Sequence, residues 1–277
     1  MLFVQTSFGQ FITTWETTGS NQSIRIPTDT DYTYNYTIDW GDGDTSTDQT
    51  GDATHTYATA GTYSVSITGT FPAIYFNSLE RNVDPIDPFS RRTIKAVTQW
   101  GNNSWQSMKR AFSGCENLTI TATDTPNLSS VTDMGQMFYN ATDINPEVGP
   151  WNVSNVTNMG AMFYGTRNFN QDISSWNVDN VTNMTFMFYN ANAFNQDISG
   201  WNVDNVTDMS LMFALAVSFN QDIGDWNVGN VINMHKMFNN ATAFNQPIGG
   251  WDVSRVVDTS LMFQNATAFN QDIGLWN

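Results

Sequence analysis

The sequence is poor in the residues that most often carry chemistry. One cysteine, Cys115, and two histidines, His55 and His235, are all it has of those types in 277 residues. A single thiol excludes an intrachain disulfide, so the usual link between export and disulfides gives no guidance. A catalytic thiol needs a base beside it. Cys115 instead occupies a repeat position filled mostly by alanine, which marks a small buried apolar residue. Lys and Arg together number 10 against 26 Asp and Glu, a formal net charge of −16. That balance argues against nucleic acid and against an anionic membrane surface, both of which are held by cations. No run approaches the roughly 18 apolar residues of a membrane span, so membrane insertion is not expected. Met1–Gln5 is too short to be a secretory signal.

What is abundant is aromatic and periodic. Trp, Phe and Tyr make up 14% of the chain, which a disordered chain would lack. Trp151, Trp176, Trp201, Trp226, Trp251 and Trp276 lie 25 residues apart. Phe138, Phe163, Phe188, Phe213, Phe238 and Phe263 keep the same period, as do Met134, Met159, Met184, Met209 and Met234, with Thr259 breaking the column. Ile173, Ile198, Ile223, Ile248 and Ile273 form a further column. Self-similarity of this kind signals a stacked repeat architecture. A weaker unit, with Met108, Phe112, Cys115 and Leu118, precedes Met134 by 26 residues. The segments 71–76 and 93–100 read as strands that open the stack.

Within a unit, Met159, Met162 and Phe163 have the i, i+3, i+4 spacing of a helix. The preceding position is always Asn or Asp (Asp133, Asn158, Asn183, Asp208, Asn233, Asp258), as an N-cap requires. The expectation is a short helix of about two turns in every unit. The following segment, Phe169–Trp176, is too short and polar for a second helix and is assigned to a strand. Stacked units would then form a parallel sheet with a rise of about 4.8 Å per repeat.

Candidate functional columns lie beside that strand. Asn170, Asn195, Asn220, Asn245 and Asn270 read as a structural ladder, each amide bonding its counterparts and backbone groups freed by the turn. Asp172, Asp197, Asp222 and Asp272, with Pro247 interrupting, form an acidic surface column flanked by Gln171, Gln196 and Gln221. Like charges so stacked repel, so the carboxylates are solvated, cap backbone N–H groups, or bind a ligand. The capping role is the plainer of these. The tryptophans read as core fillers rather than a sugar platform.

The repeated string Trp-Asn-Val-Ser-x-Val-Thr-x-Met-x-x-Met-Phe, followed by Phe-Asn-Gln-Asp-Ile-Ser-x-Trp, resembles the repeat of the BspA-like leucine-rich-repeat family of bacterial surface proteins, described also from mycoplasma and Listeria lipoproteins. The resemblance covers roughly residues 105–277. It implies a leucine-rich-repeat-like solenoid, display on the cell surface, and adhesion or protein recognition, with no catalytic residues to carry over. Departures are scattered: Thr259 for Met, Ile232 and Val257 for Thr, Pro247 for Asp.

Residues 1–70 differ in texture. Tyr34–Asp39 alternates and stops at a Gly/Asp turn, and Gly61–Thr68 alternates after another turn, which suggests a β-sandwich. Asp39-Trp-Gly-Asp-Gly and His55-Thr-Tyr resemble a polycystic-kidney-disease (PKD) domain, an extracellular spacer. Asp39, Asp42 and Asp44 would suit Ca²⁺, although carboxylates in such a turn more often serve the turn itself. No other cofactor is expected. Residues 79–92, with their prolines and mixed charge, read as a surface loop.

The fold expected is therefore mainly β with short helices: an N-terminal PKD- or Ig-like β-sandwich over 1–70, then an α/β solenoid over 71–277. Residues 71–127 supply degenerate first turns, and regular units begin at 128. The function expected is a non-enzymatic, secreted, bacterial cell-surface protein recognising protein or glycan through a face of the repeats. The alternative is a structural subunit of a surface fibre, appendage or layer that self-associates through an uncapped end.

Overall fold

A computed structural model of the chain describes residues 9–76 and 87–276. The N-terminal part is built from β1 (Phe11–Thr17), β2 (Gln22–Ile26), β3 (Asn35–Asp39), β4 (Thr45–Gln49), β5 (Ala53–Tyr57) and β6 (Gly61–Thr70). Then come α1 (Asp87–Thr93), β7 (Ile94–Gln99) and the short β8 (Thr119–Ile120). Along β1 every second residue is buried, from Phe11 through Trp15 to Thr17, as a strand with one face on a core must be. The strands form a mixed six-stranded sheet in the order β4-β3-β6-β1-β7-β8 and a two-stranded sheet, β2-β5. β1 pairs antiparallel with β6, Phe11 opposite Ile67, and with β7 on its other edge, while β7 and β8 are parallel. The tight turn after β3 needs glycine: Gly41 has φ +80°, and a Cβ there would meet the Ser64 carbonyl at 2.4 Å.

From Met108 onward the units stack in register, and the backbone ties them together. N–H groups of Met134, Gln136, Phe138 and Asn140 donate to the carbonyls of Asn158, Gly160, Met162 and Tyr164 in the next unit, at 2.7–2.9 Å. The intervening N–H groups of Met137, Tyr139 and Ala141 turn back to Met134, Gln136 and Phe138, three residues earlier. The same alternation recurs over 159–166, 184–191, 209–216 and 234–241. It needs left-handed residues, four apart: Gln136 and Asn140, Ala161 and Gly165, Phe186 and Asn190, Leu211 and Leu215, all with φ between 54° and 72°. Single parallel bridges join Asp133, Asn158, Asn183, Asp208, Asn233 and Asp258 in sequence.

The interior is a set of aromatic columns. Phe138, Phe163, Phe188, Phe213 and Phe238 are fully buried and stack with centroids 5.7 Å apart. From the Phe163 unit onward a second phenylalanine lies flat on the first, as Phe169 does on Phe163 at 3.8 Å, while the Phe138 unit has Ile144 there. Burying such a ring contributes roughly 2–3 kcal/mol before the entropic cost of ordering it. The tryptophans from Trp151 to Trp251 are buried as well, and the indole N–H groups reach backwards: Trp176 to the Val148 carbonyl, Trp201 to Ile173, Trp226 to Ile198, at 3.1–3.2 Å.

This arrangement overturns the expected α/β solenoid with a parallel sheet. Among the described residues of the regular repeats there is no helix, and α1 lies before them. The i, i+3, i+4 spacing comes from a succession of tight turns, whose alternate N–H groups bond the next unit in place of the residue four back. The Asn or Asp expected to cap a helix caps a turn: Asp133, Asn158 and Asn183 Oδ1 accept the N–H two residues on, at 2.7–3.0 Å. Phe169–Trp176 contains no strand: the Phe169 and Trp176 N–H groups turn back to the Thr166 and Ile173 carbonyls, Ser174 N–H bonds Asp172 Oδ1, and Asn170 N–H bonds Asn145 Oδ1 of the preceding unit. In place of the expected sandwich stands the mixed sheet with its two-stranded partner. The 93–100 segment does form a strand, β7, but 71–76 is buried without being one. Of the loop expected over 79–92, positions up to 86 lie outside the described residues, as does the Met1–Gln5 segment; Asp87–Thr93 is α1.

Candidate functional site

The acidic column stands on the outside. Asp172, Asp197, Asp222 and Asp272 are all exposed. In each, Oδ1 accepts the backbone N–H two residues later (Ser174, Ser199, Gly224, Gly274) at 2.9 Å. The carboxylates therefore hold turns. The bond from the Ser174 N–H, and after it the Ser174 hydroxyl, pulls the Asp172 carboxyl below its ordinary range. Ser199 does the same for Asp197, and the charge on Asp172 opposes it slightly. These two groups feel one another and stay ionised, each with a second oxygen left over from the turn. Asp172 and Gln171 border a shallow depression of about 320 Å³, with Glu147, Gly149, Pro150 and Ser175. Glu147 occupies the Asp172 position one unit earlier, so the depression has a carboxylate on either side.

The glutamines beside the acids do a different job. The amide of Gln171 donates to the Asn145 carbonyl at 3.1 Å, that of Gln196 to Asn170 at 2.9 Å, and that of Gln221 to the Asn195 carbonyl and Oδ1 at 2.9 and 3.0 Å. The candidate pairing of Asp with Gln thus divides: the acids face solvent and the amides clamp one unit to its predecessor. The asparagine ladder is present with a particular geometry. Each Oδ1 accepts the backbone N–H of the next asparagine, Asn145 to Asn170, Asn170 to Asn195, Asn195 to Asn220, Asn220 to Asn245 and Asn245 to Asn270, at 2.8–2.9 Å.

Sequence reasoning missed a second ladder. The amides of Asn155, Asn180, Asn205 and Asn230 each donate to a carbonyl of the preceding unit (Ser129, Ser154, Asp179, Asp204) at 2.7–2.8 Å. Its signal was the same constant period. A tyrosine stack was missed too: Tyr139, Tyr164 and Tyr189 lie ring over ring at 4.5 Å on a half-buried face. Burial first, and then the flanking Tyr139 and Tyr189, push the Tyr164 phenol up to about 12.

In the N-terminal part the three predicted acids do not converge. Asp39 Oδ1 caps the Gly41 N–H at 2.9 Å, while Asp42, Asp44 and His55 gather with ligand atoms within 4.8 Å of one another. His55 Nε2 lies 2.7 Å from Asp42 Oδ2, and its ring stacks on Trp40 at 4.9 Å. Burial works against ionisation of Asp42, but bonds from His55 and the Asp44 N–H outweigh it and lower its pKa. Ca²⁺ takes six to eight oxygen ligands. Two carboxylates with an imidazole nitrogen fit it poorly, and the cluster accounts for itself as a turn braced by His55.

The chain is thus a protein of stacked repeats, whose amide ladders fix the stack and whose outer rows are carried at a constant interval. Residues 106–216 and 196–277 match the family described as "Mycoplasma protein of unknown function, DUF285". The two matches cover more than half of the chain, which belongs to that family, the family of BspA-like surface repeats. No curated protein and no solved structure matches it.

Proposed function

We propose that this protein is secreted to a bacterial cell surface, where its repeats bind a protein or glycan of another cell or matrix without catalysing a reaction. Family membership supports the surface assignment. The observation that carries the binding reading is the exposed row Asp172, Asp197, Asp222 and Asp272 over units locked in register. A rigid row at fixed spacing presents many weak contacts to one partner at once, and multiplied weak contacts give avidity without a deep pocket. The strands before the repeats act as a PKD-like spacer that holds this row away from the surface.

The test is direct. The purified chain is passed over immobilised matrix proteins and a glycan array, beside a triple variant carrying D172N, D197N and D222N. Binding by the parent that the variant loses, with both melting at the same temperature, supports the reading. Failure of the parent to bind either panel overturns it. Protease treatment of intact cells checks location: a displayed chain is cut and a cytosolic one is not.

A further inference from the structure

On the face that carries the tyrosine stack the repeat is uneven. The position two after the turn-capping Asn or Asp is Gly135 and Gly160 in two successive units, then Thr185, Ser210, His235 and Ser260. The next position is Ala161 in one unit but Phe186, Leu211 and Leu261 in others. Where the small residues fall together, a shallow groove of about 230 Å³ opens across three units. Its floor is the amide pair Asn158 and Asn183, joined at 2.9 Å. Thr185 and Gln136 line its sides, Phe186 closes one end and Lys109 the other. Phe186 is half-buried and touches the tyrosine stack, 6.1 Å from Tyr164.

We propose that this groove binds a short stretch of oligosaccharide, which rests on the reading of the repeats as a binding surface and gives it a site and a ligand class. Its lining is the chemistry that sugars call for: amides and a hydroxyl to exchange bonds with ring hydroxyls, and an aromatic side chain for the apolar face of a pyranose. Lys109 is the single charged residue in the lining of a chain with net charge −16. No carboxylate is among the lining residues, and Asp133, just beyond them, has Oδ1 engaged by the Asn158 amide at 2.9 Å. It is smaller than the roughly 300–1,000 Å³ of sites for drug-sized ligands, and it is open. It takes a sugar or two of a longer glycan whose remainder runs out along the face.

The repeat supplies its own blocking variant. Leucine occupies the Ala161 position at Leu211 and Leu261, with the same positive φ of 54–59°, so Ala161→Leu fills the groove with a side chain the fold already accepts. The parent, A161L and F186A are screened on a glycan array and titrated by calorimetry with triacetylchitotriose, cellotetraose and trigalacturonate. The expected result is saccharide binding by the parent, its loss in A161L, and weakening by roughly tenfold in F186A, with unchanged melting temperature and elution volume for A161L. No saccharide binding by the parent, or binding that A161L leaves intact, overturns the proposal. Capture of a matrix protein through the acidic row, without any sugar, overturns this inference and leaves the broader reading standing. Absence of both sinks the two together.

Discussion

Phe188 and Phe194, six positions apart in one unit, lie face to face with ring centroids 3.9 Å apart and planes within 6°. Phe188 also stacks on Phe163 below and Phe213 above, each at 5.7 Å. The ring is therefore packed within its unit and between units at once. Neither contact depends on a helix or a ladder of strands, so this column does the work that a regular secondary structure does in other repeats.

Removing one ring from the middle should cost more than removing one near an end. Phe188→Ala leaves a cavity bordered by rings on three sides, and the expected loss is about 3–5 kcal/mol. Phe263→Ala, where the ring is only half-buried, should cost clearly less. Urea unfolding of both variants checks this, since stability in a stacked repeat is a sum of unit and neighbour terms. Equal losses would show that the column does not couple neighbouring units.

The buried indole of Trp226 donates to the Ile198 carbonyl at 3.1 Å. Trp226→Phe keeps an aromatic ring but removes that bond, leaving the carbonyl with the Trp201 N–H, which also donates to it at 3.1 Å. The expected destabilisation is about 0.5–1.5 kcal/mol from the lost bond, with a further share from lost volume. Thermal melts beside Trp226→Leu separate the two effects. A variant as stable as the parent would mean that the indole bond adds nothing to what the Trp201 N–H already gives that carbonyl.

Much of this interior is legible in the sequence. The columns of Trp151, Phe138 and Met134 predict which side chains are buried, and the Asn170 column predicts a ladder. What misled was local. Met159, Met162 and Phe163 satisfy a helical period, yet the same spacing suits tight turns that each span three residues. A contrary signal stood one position after Tyr139, Tyr164 and Tyr189 and at the equivalent place in two later units: Asn140, Gly165, Asn190, Asn240 and Asn265. Asparagine and glycine recurring inside a supposed helix are the residues that accept a left-handed backbone, and there φ is 55–72°. The uneven groove around Ala161 had no periodic signature, because it is made by departures from the repeat. The Asp42–His55 contact joins residues on either side of β4 and could not be read from spacing alone.

Asn195 Oδ1 accepts both the Asn220 N–H at 2.9 Å and the Gln221 amide at 3.0 Å. Asn195→Ala removes the acceptor of both bonds, and Asn195→Asp retains it. The alanine variant should lose about 1–2 kcal/mol and the aspartate variant less, read by denaturant midpoints. Hydrogen exchange at the Asn220 amide should quicken in the alanine variant alone. Identical exchange in both would remove the side chain from the ladder.

Acid should weaken the turns before it weakens the core. The Ser260 hydroxyl and then its N–H hold the Asp258 carboxyl below the ordinary value of 3.8, as Ser254 does for Asp252. A depressed folded-state pKa means that the folded chain binds fewer protons than the unfolded chain in that range. The stabilisation is therefore complete above an unfolded carboxyl value of about 3.9 and is lost as the pH falls through the lower folded value. Melting temperature should hold from neutrality to about pH 4 and drop below it. Ser260→Ala deletes the largest contribution for Asp258 but keeps the backbone bond, so its melting temperature should lie below that of the parent at pH 6 and approach it near pH 2.5. Melts at a series of pH values and constant ionic strength decide the matter. A gap between the two proteins that stays constant down to pH 2.5 would place the effect of Ser260 in packing and not in the charge of Asp258.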